Sequence, residues 1–204
     1  MIRTALEFIT KQLDAYMVER EQDTANYSTS NVVEMQSIIA ADGTINATDA
    51  NHITIMLAGL EEERREGKRP QYVPTDDKQF LKLNPPVELD LLILFIAHKK
   101  DYGTALRDLS SVVSFFQAYP VFDQEKNPSL NASVIDPINK PWQLIDRLVF
   151  TLHALSFEQL NNLWGLLGSK YIPSIVYKMK MLTVFDTKGN QKVPAITEMN
   201  YLEN

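Results

Sequence analysis

The chain has 204 residues, of which 45% are hydrophobic and 23% charged, and its formal net charge is −6. A chain of this length and polarity can bury a core large enough for one stable domain, so we expect a single domain over residues 1–204. The lack of cysteine excludes disulfides, thiolate zinc sites and cysteine nucleophiles, and the acidic balance with scattered basic residues argues against nucleic-acid binding.

The amino-terminal segment predicts an amphipathic helix. Leu6, Ile9, Leu13 and Met17 recur at helical spacing with charged residues between them. Those charges exclude a signal peptide or a membrane span in this segment. The longest apolar run, Leu91–Ala97, is far too short to cross a bilayer. We therefore expect a protein without a membrane span, with the cytoplasm as its default location.

The next segments predict strands separated by loops. Val32–Ile39 and His52–Ala58 are expected to be strands, joined by a loop. Gly59–Asp77 is polar and contains two prolines, so we expect a long surface loop there. Val87–Ala97 begins with alternating apolar residues and ends apolar on both sides. This pattern predicts a central strand that is covered on both faces.

A second helix is predicted to begin after Asp101, a suitable N-cap residue, and to end before Pro120. Residues 123–141 are rich in proline and asparagine and predict a loop. The apolar stripe expected to pack on the sheet consists of Leu106, Leu109, Val113 and Phe116.

The last third of the chain predicts strand, helix and strand. Leu144–Leu152 and Ser174–Val184 are the expected strands. Between them, Ser156–Gln159 has the spacing of a capping box, and Gly168 is placed to end the helix. All the elements together predict an α+β fold, with an antiparallel or mixed sheet of about five strands and about three helices that cover one face.

Motifs for catalysis are absent from the sequence. It contains no P-loop, no dinucleotide-binding fingerprint, no HExxH pair and no nucleophile elbow. His52, His98 and His153 are dispersed and predict structural roles, and the adjacent Asp76 and Asp77 are typical of a solvated loop. We therefore assign no catalytic residue, cofactor or metal ligand.

The strongest signal is a family resemblance carried by Leu155–Lys178, LSFEQLNNLWGLLGSKYIPSIVYK. This stretch resembles the cap or tail-terminator proteins of contractile injection systems, which share a Pvc16-type amino-terminal domain. Four earlier segments also resemble this family, and they occur along the chain in the same order as in the family. They are the first helix, His52–Arg64, Pro85–Ala97 and Asp101–Phe122. The resemblance spans nearly the whole chain and departs at Val32–Ala50, where a loop is lengthened.

The resemblance implies a tail-terminator-like fold and a structural role. Such a protein forms a closed, sixfold ring of identical copies on the end of the inner tube and the last sheath layer of a phage-tail-like particle that assembles in the cytoplasm. Its partners are its own copies and the tube and sheath proteins. A subunit that offers an acceptor surface without a new donor surface ends growth without catalysis. The alternative is a generic interaction adaptor or an unrecognised hydrolase, although no nucleophile and base are paired in the sequence.

Eight residues are candidate interface positions. The acidic and basic run in the predicted long loop lies where the family's subunits meet, so it is expected to pair with a neighbour. One aromatic residue lies in a connection, and two lysines mark a strand face that meets solvent. Trp164, at helical spacing with Leu160 and Leu167, is expected in the core instead. The eight candidates are Glu61, Glu62, Glu63, Arg64, Arg65, Tyr171, Lys178 and Lys180.

Overall fold

A computed structural model describes residues 1–20, 32–40, 43–44, 53–62, 71–74, 79–83, 87–136, 144–183 and 191–194. In chain order the elements are α1 (Ile2–Arg20), β1 (Val33–Met35), β2 (Ile53–Glu62), β3 (Gln71–Pro74), β4 (Gln79–Leu83), β5 (Val87–Ala97), α2 (Tyr102–Ala118), β6 (Val121–Asp123), β7 (Arg147–His153), α3 (Phe157–Leu166), β8 (Ser174–Thr183) and β9 (Gln191–Pro194). None of the helices in these ranges has the length and apolar character needed to cross a membrane.

The main sheet has six strands in the order β1-β2-β5-β8-β7-β6. Strand β1 runs parallel to β2, and the other neighbours are antiparallel. The predicted α+β class with a mixed sheet and three helices is therefore confirmed, with one strand more than expected. Strand β5 has the predicted bounds and pairs with β2 and β8 along almost its full length.

A smaller sheet has the strand order β3-β4-β9, which corresponds to the order β2-β5-β8 at the centre of the main sheet. Along the chain, β3 follows β2, β4 precedes β5 and β9 follows β8. The prediction of a loop over Gly59–Asp77 is therefore wrong, because this segment contains the end of β2 and the whole of β3. A bulge between Leu57 and Gly59 shifts the pairing register, and the resulting break in the apolar alternation made β2 look complete at Ala58.

The first face of the main sheet is covered by α1 and α2. One side of β5 contributes Ile93 and Phe95 to this core. Phe116 of α2 lies at its centre, with its ring centroid 4.4 Å from that of Phe150 and 4.5 Å from that of Tyr177. Helix α2 is thus held by ring packing against three adjacent strands, β5, β8 and β7.

The second face of the sheet is covered at one end by α3. Trp164 is buried there in a cluster with Leu94 and Ile96 of β5 and Val176 of β8. The prediction that the helices cover one face is therefore wrong. The physical reason is the apolar end of β5, which needs a covering layer on each side. The prediction that Trp164 belongs to the core is confirmed.

The predicted helix ends are confirmed. The backbone N–H of Thr104 donates to Asp101 over 2.7 Å, and the hydrogen bond from the Thr104 hydroxyl lowers the pKa of Asp101. Ser156 and Gln159 form the reciprocal capping box at the start of α3. Gly168 follows this helix with a φ of +63°, a conformation that suits glycine.

The predicted apolar stripe of α2 is half wrong. Leu109 and Phe116 are buried, but Leu106 and Val113 are 44% and 38% exposed. The buried side of the helix also includes Asp108, which is fully buried. A buried carboxylate interrupts the apolar pattern of α2. The side of the helix that was predicted to be buried is therefore rotated relative to the side that packs on the sheet.

The core position of Phe116 predicts a large effect of its truncation. We expect Phe116→Ala to lower the free energy of unfolding by about 3–5 kcal/mol, because a buried phenylalanine leaves a cavity when it is shortened. The matched variant is Phe157→Ala on α3, where the ring is 93% exposed, and its expected cost is below about 0.5 kcal/mol. Urea denaturation of both variants measures the two costs. Equal costs would contradict the described packing.

Candidate interaction surface of the sheet

The second face of the main sheet is charged beyond the part that α3 covers. Paired residues on neighbouring strands point to the same face, so the register places Glu61, Asp90 and Lys180 in one row across β2, β5 and β8. Carboxylates thus lie on β2 and β5, and cations lie on β8 and β7. We call this surface the charged face, and its residues are Glu61, Glu88, Asp90, Arg147, Lys178 and Lys180.

An ion pair between β5 and β8 anchors the charged face. Lys178 Nζ lies 2.6 Å from Asp90 Oδ2, although Lys180 is the residue directly opposite Asp90 in the register. Asp90 is only 6% exposed. Because a buried carboxylate without a cation is costly, Asp90 holds the Lys178 side chain in one direction along the sheet.

The structure brings three of the eight candidate interface residues onto this face, namely Glu61, Lys178 and Lys180. Glu62 is the next residue of β2, but it pairs with Leu89 and therefore points to the opposite face. Both glutamates are exposed, and they lie in a strand rather than in the predicted loop.

The remaining candidates lie elsewhere. Tyr171 is on the connection between α3 and β8, where its ring lies 6.2 Å from that of Trp164. Glu63, Arg64 and Arg65 are outside the described residues, so their predicted pairing with a neighbour stays a prediction.

Three residues of the charged face were missed from the sequence, namely Glu88, Asp90 and Arg147. Glu88 and Asp90 occupy the polar positions of the alternating start of β5. That alternation predicted a strand, but nothing in the sequence indicated that β8 pairs with it and places Lys178 and Lys180 on the same face. The available signal was that both strands carry polar residues at alternate positions, and this signal predicts a shared charged face only once the pairing of the strands is known.

The edges of the main sheet offer a second kind of contact. Strand β1 pairs with β2 only over Ile53–Ile55, so in the described part of the chain no strand pairs with the outer side of β2 from residue 56 to 62. At the opposite edge, β6 covers β7 only as far as Val149 in the register, and the Phe150 N–H donates to the Pro120 carbonyl. Open strand edges can hydrogen-bond to a strand of another chain.

Exposed apolar side chains lie on the strands at both edges. Leu60 is exposed on β2, and Val121 and Leu152 are exposed on β6 and β7. Single exposed apolar residues are common on protein surfaces, but these three lie on edge strands, where a strand of another chain would cover them on pairing.

A second buried ion pair lies outside the charged face. Lys99, at the end of β5, has its Nζ 3.2 Å from Asp108 Oδ2, and its side chain is only 5% exposed. Arg107 Nε lies 3.7 Å from the other oxygen of Asp108. Burial lowers the pKa of Lys99, and the charge of Asp108 opposes this effect.

Metal binding has no support in the described part of the chain, where no three His, Asp or Glu side chains converge. Of the three histidines, His98 and His153 are described and lie at the ends of different strands.

Comparison with known proteins identifies relatives of this fold. The family model of the Pvc16 N-terminal domain matches residues 4–198. The anti-feeding prophage cap, the AFP tube terminating cap, is similar with a TM-score of 0.60 and 14% identity, and the match covers 98% of this chain and 60% of that one. The PVC sheath/tube terminator of an extracellular contractile injection system, in its extended state, is similar with a TM-score of 0.58 and 14% identity, covering 100% of this chain and 63% of that one.

These matches confirm the predicted tail-terminator-like fold. The chain spans about three fifths of the length of the two solved chains. The search of curated proteins found no significant sequence match.

The buried Lys99 predicts how stability changes at alkaline pH. Its pKa is lower in the folded than in the unfolded chain, so the unfolded chain binds more protons between the two pKa values, and stability rises with pH there. We expect Lys99 to raise the free energy of unfolding as the pH increases toward about 10.4, the ordinary lysine pKa.

Urea denaturation over this pH range checks the prediction with two variants. Lys99→Met should reduce the rise, whereas Lys126→Met, which removes an exposed lysine, should leave it unchanged. An equal rise in the two variants would show that Lys99 does not cause it.

Proposed function

Because the chain belongs to the Pvc16 N-terminal domain family, we propose that it is a tail terminator of a contractile injection system, which caps the inner tube and sheath. The observation that carries this proposal is the fold shared over nearly the whole chain with two proteins described as a tube terminating cap and a sheath/tube terminator. The proposed partners are the tube and sheath proteins of the same particle, and the proposed place of assembly is the cytoplasm.

The proposed mechanism is geometric. Tube and sheath grow by repeating one heterologous contact, in which each subunit offers a surface to the next one. A terminator binds the last layer and offers no equivalent surface, so growth stops. This work needs binding energy and no chemical step, in keeping with the charged and apolar surfaces described above.

We further propose that identical copies form a closed ring of six. The open edge of β2 and the partly open edge of β7 lie on opposite sides of the sheet. A contact between the β2 edge of one copy and the β7 edge of the next is heterologous, and such contacts close into a ring when the rotation between copies permits. Leu60 and Leu152 are the exposed apolar residues on these two strands.

The charged face and the charged run after β2 are proposed to complete the contacts. Glu61, Lys178 and Lys180 on the charged face provide both signs of charge, which favours one orientation of a partner over others. Glu62, Glu63, Arg64 and Arg65 are proposed to pair with a neighbouring copy. Tyr171 is proposed as a separate contact, because it lies on the connection after α3.

The capping proposal predicts shorter tubes. Tube and sheath proteins of the same particle are assembled with increasing amounts of the purified chain, and lengths are measured by electron microscopy. We expect lengths to fall at amounts far below one copy per tube subunit, because one cap blocks a whole end. Unchanged lengths with binding along the sides would contradict the proposal.

The ring proposal predicts a defined mass in solution. Six copies of 23.3 kDa give about 140 kDa, which light scattering after size exclusion measures directly. Leu60→Lys on the β2 edge should shift the mass toward one chain, because it places a charge in the contact. The matched control is Leu166→Lys, an exposed position on α3, which should keep the ring. A single chain at every concentration, or loss of the ring with the control alone, would contradict this arrangement.

A further inference from the structure

A cavity of about 600 Å³ lies between the end of β5 and the connection from α3 to β8. Residues 97–99 form one wall, and residues 168–173 form the other. The two walls are joined where the backbone N–H of Ala97 donates to the carbonyl of Pro173 over 2.9 Å. The cavity is distinct from the charged face, because α3 and its connection cover the opposite end of the sheet.

The lining of the cavity is basic. Its side chains include His98, Lys99 and Lys170, and the nine lining residues, all of them described, include no aspartate or glutamate. The chain as a whole carries a net charge of −6, so this concentration of basic groups is a local exception. A concave site lined by one sign of charge attracts groups of the opposite sign.

The two lysines differ in a way that suits a binding site. The ammonium group of Lys99 is buried and held 3.2 Å from Asp108, so its position is set by the fold. Lys170 is exposed and can move toward a ligand. Asp108 offsets the charge of Lys99, but Arg107 lies 3.7 Å from the other oxygen of Asp108, so these three groups together keep one positive charge. Together with Lys170 at the mouth of the cavity, this charge favours an anion that enters from solvent.

The cavity also offers an apolar contact. Tyr171 is 57% exposed at the mouth, while Ile172 beside it is buried. The Tyr171 ring packs edge to face on the buried Trp164, which limits the positions that it can take. Tyrosine held in this way is a common anchor at protein interfaces.

We propose that this cavity binds an acidic segment of a partner protein. A glutamate or aspartate carboxylate of that segment lies near Lys170, and a neighbouring apolar side chain packs on Tyr171. The volume exceeds that of one side chain and leaves room for two or three residues. The inference does not depend on the capping function, since it concerns a site at the other end of the sheet.

The test uses the full chain and a fluorescein-labelled hexapeptide of alternating glutamate and leucine. Binding is measured by fluorescence anisotropy, and the control probe has glutamine in place of glutamate. We expect the acidic peptide to bind and the glutamine peptide to bind about tenfold more weakly, because only the carboxylates match the basic lining.

Three variants locate the binding. Lys170→Glu is expected to weaken binding about fivefold to tenfold, and Tyr171→Ala about fivefold, because each removes one of the two proposed contacts. Lys126→Glu makes the same charge change at an exposed lysine after β6 and is expected to change binding less than twofold. Thermal unfolding of each variant confirms that it is folded.

Several results would overturn the inference. They are no binding of the acidic peptide, equal binding of the glutamine peptide, or an equal loss with Lys126→Glu, which would mean a diffuse attraction. Displacement of the peptide by succinate at the same carboxylate concentration would assign the cavity to a small dicarboxylate instead. None of these results bears on whether the chain shortens tubes, so the two proposals fail separately.

Discussion

The pairing of β5 with β2 and β8 is the constraint on which the rest of the structure depends. This strand is long, it is apolar on both faces toward its end, and its two partners pair with it over almost its full length. A strand of this kind must be covered on both sides. Helices α1 and α2 cover one face, and α3 covers the apolar end of the other, so the position of each helix follows from the burial of β5.

The same pairing also places the surfaces that can bind partners. In the first part of β5, polar and apolar residues alternate. Its polar residues lie on the same face as those of β8, and together they form the charged face. Just after the end of β5, Lys99 forms a buried ion pair with Asp108 and lines the cavity beside Tyr171. The first contact surface thus lies at the alternating end of the strand and the second at its apolar end.

Local features of the sequence predicted much of this fold, and pairing between distant segments accounts for what they missed. The caps at Asp101 and Ser156, the stop at Gly168 and the bounds of β5 depend on near neighbours in the chain, and all were predicted. The true side of α2 depends on Asp108, whose burial requires Lys99. The charged face depends on the register between β5 and β8, which are about ninety residues apart. The alternation within each strand shows which of its residues share a face, but it does not show which distant strand pairs with it.

The bulge in β2 has a consequence for how this sequence can change by insertion and deletion. Before the bulge, Ile55 and Leu57 share the core face with Phe95 and Ile93, and after it Leu60 does so with Leu91. The extra residue therefore moves the core-facing positions of β2 from odd to even residue numbers. Loss of Ala58 would leave Leu57 and Gly59 in consecutive register opposite Ile93 and Leu92, so the bulge would disappear and Glu61 would still lie opposite Asp90. A deletion is thus more acceptable at this point than in the regular part of the strand, where it would turn the residues beyond it to the other face.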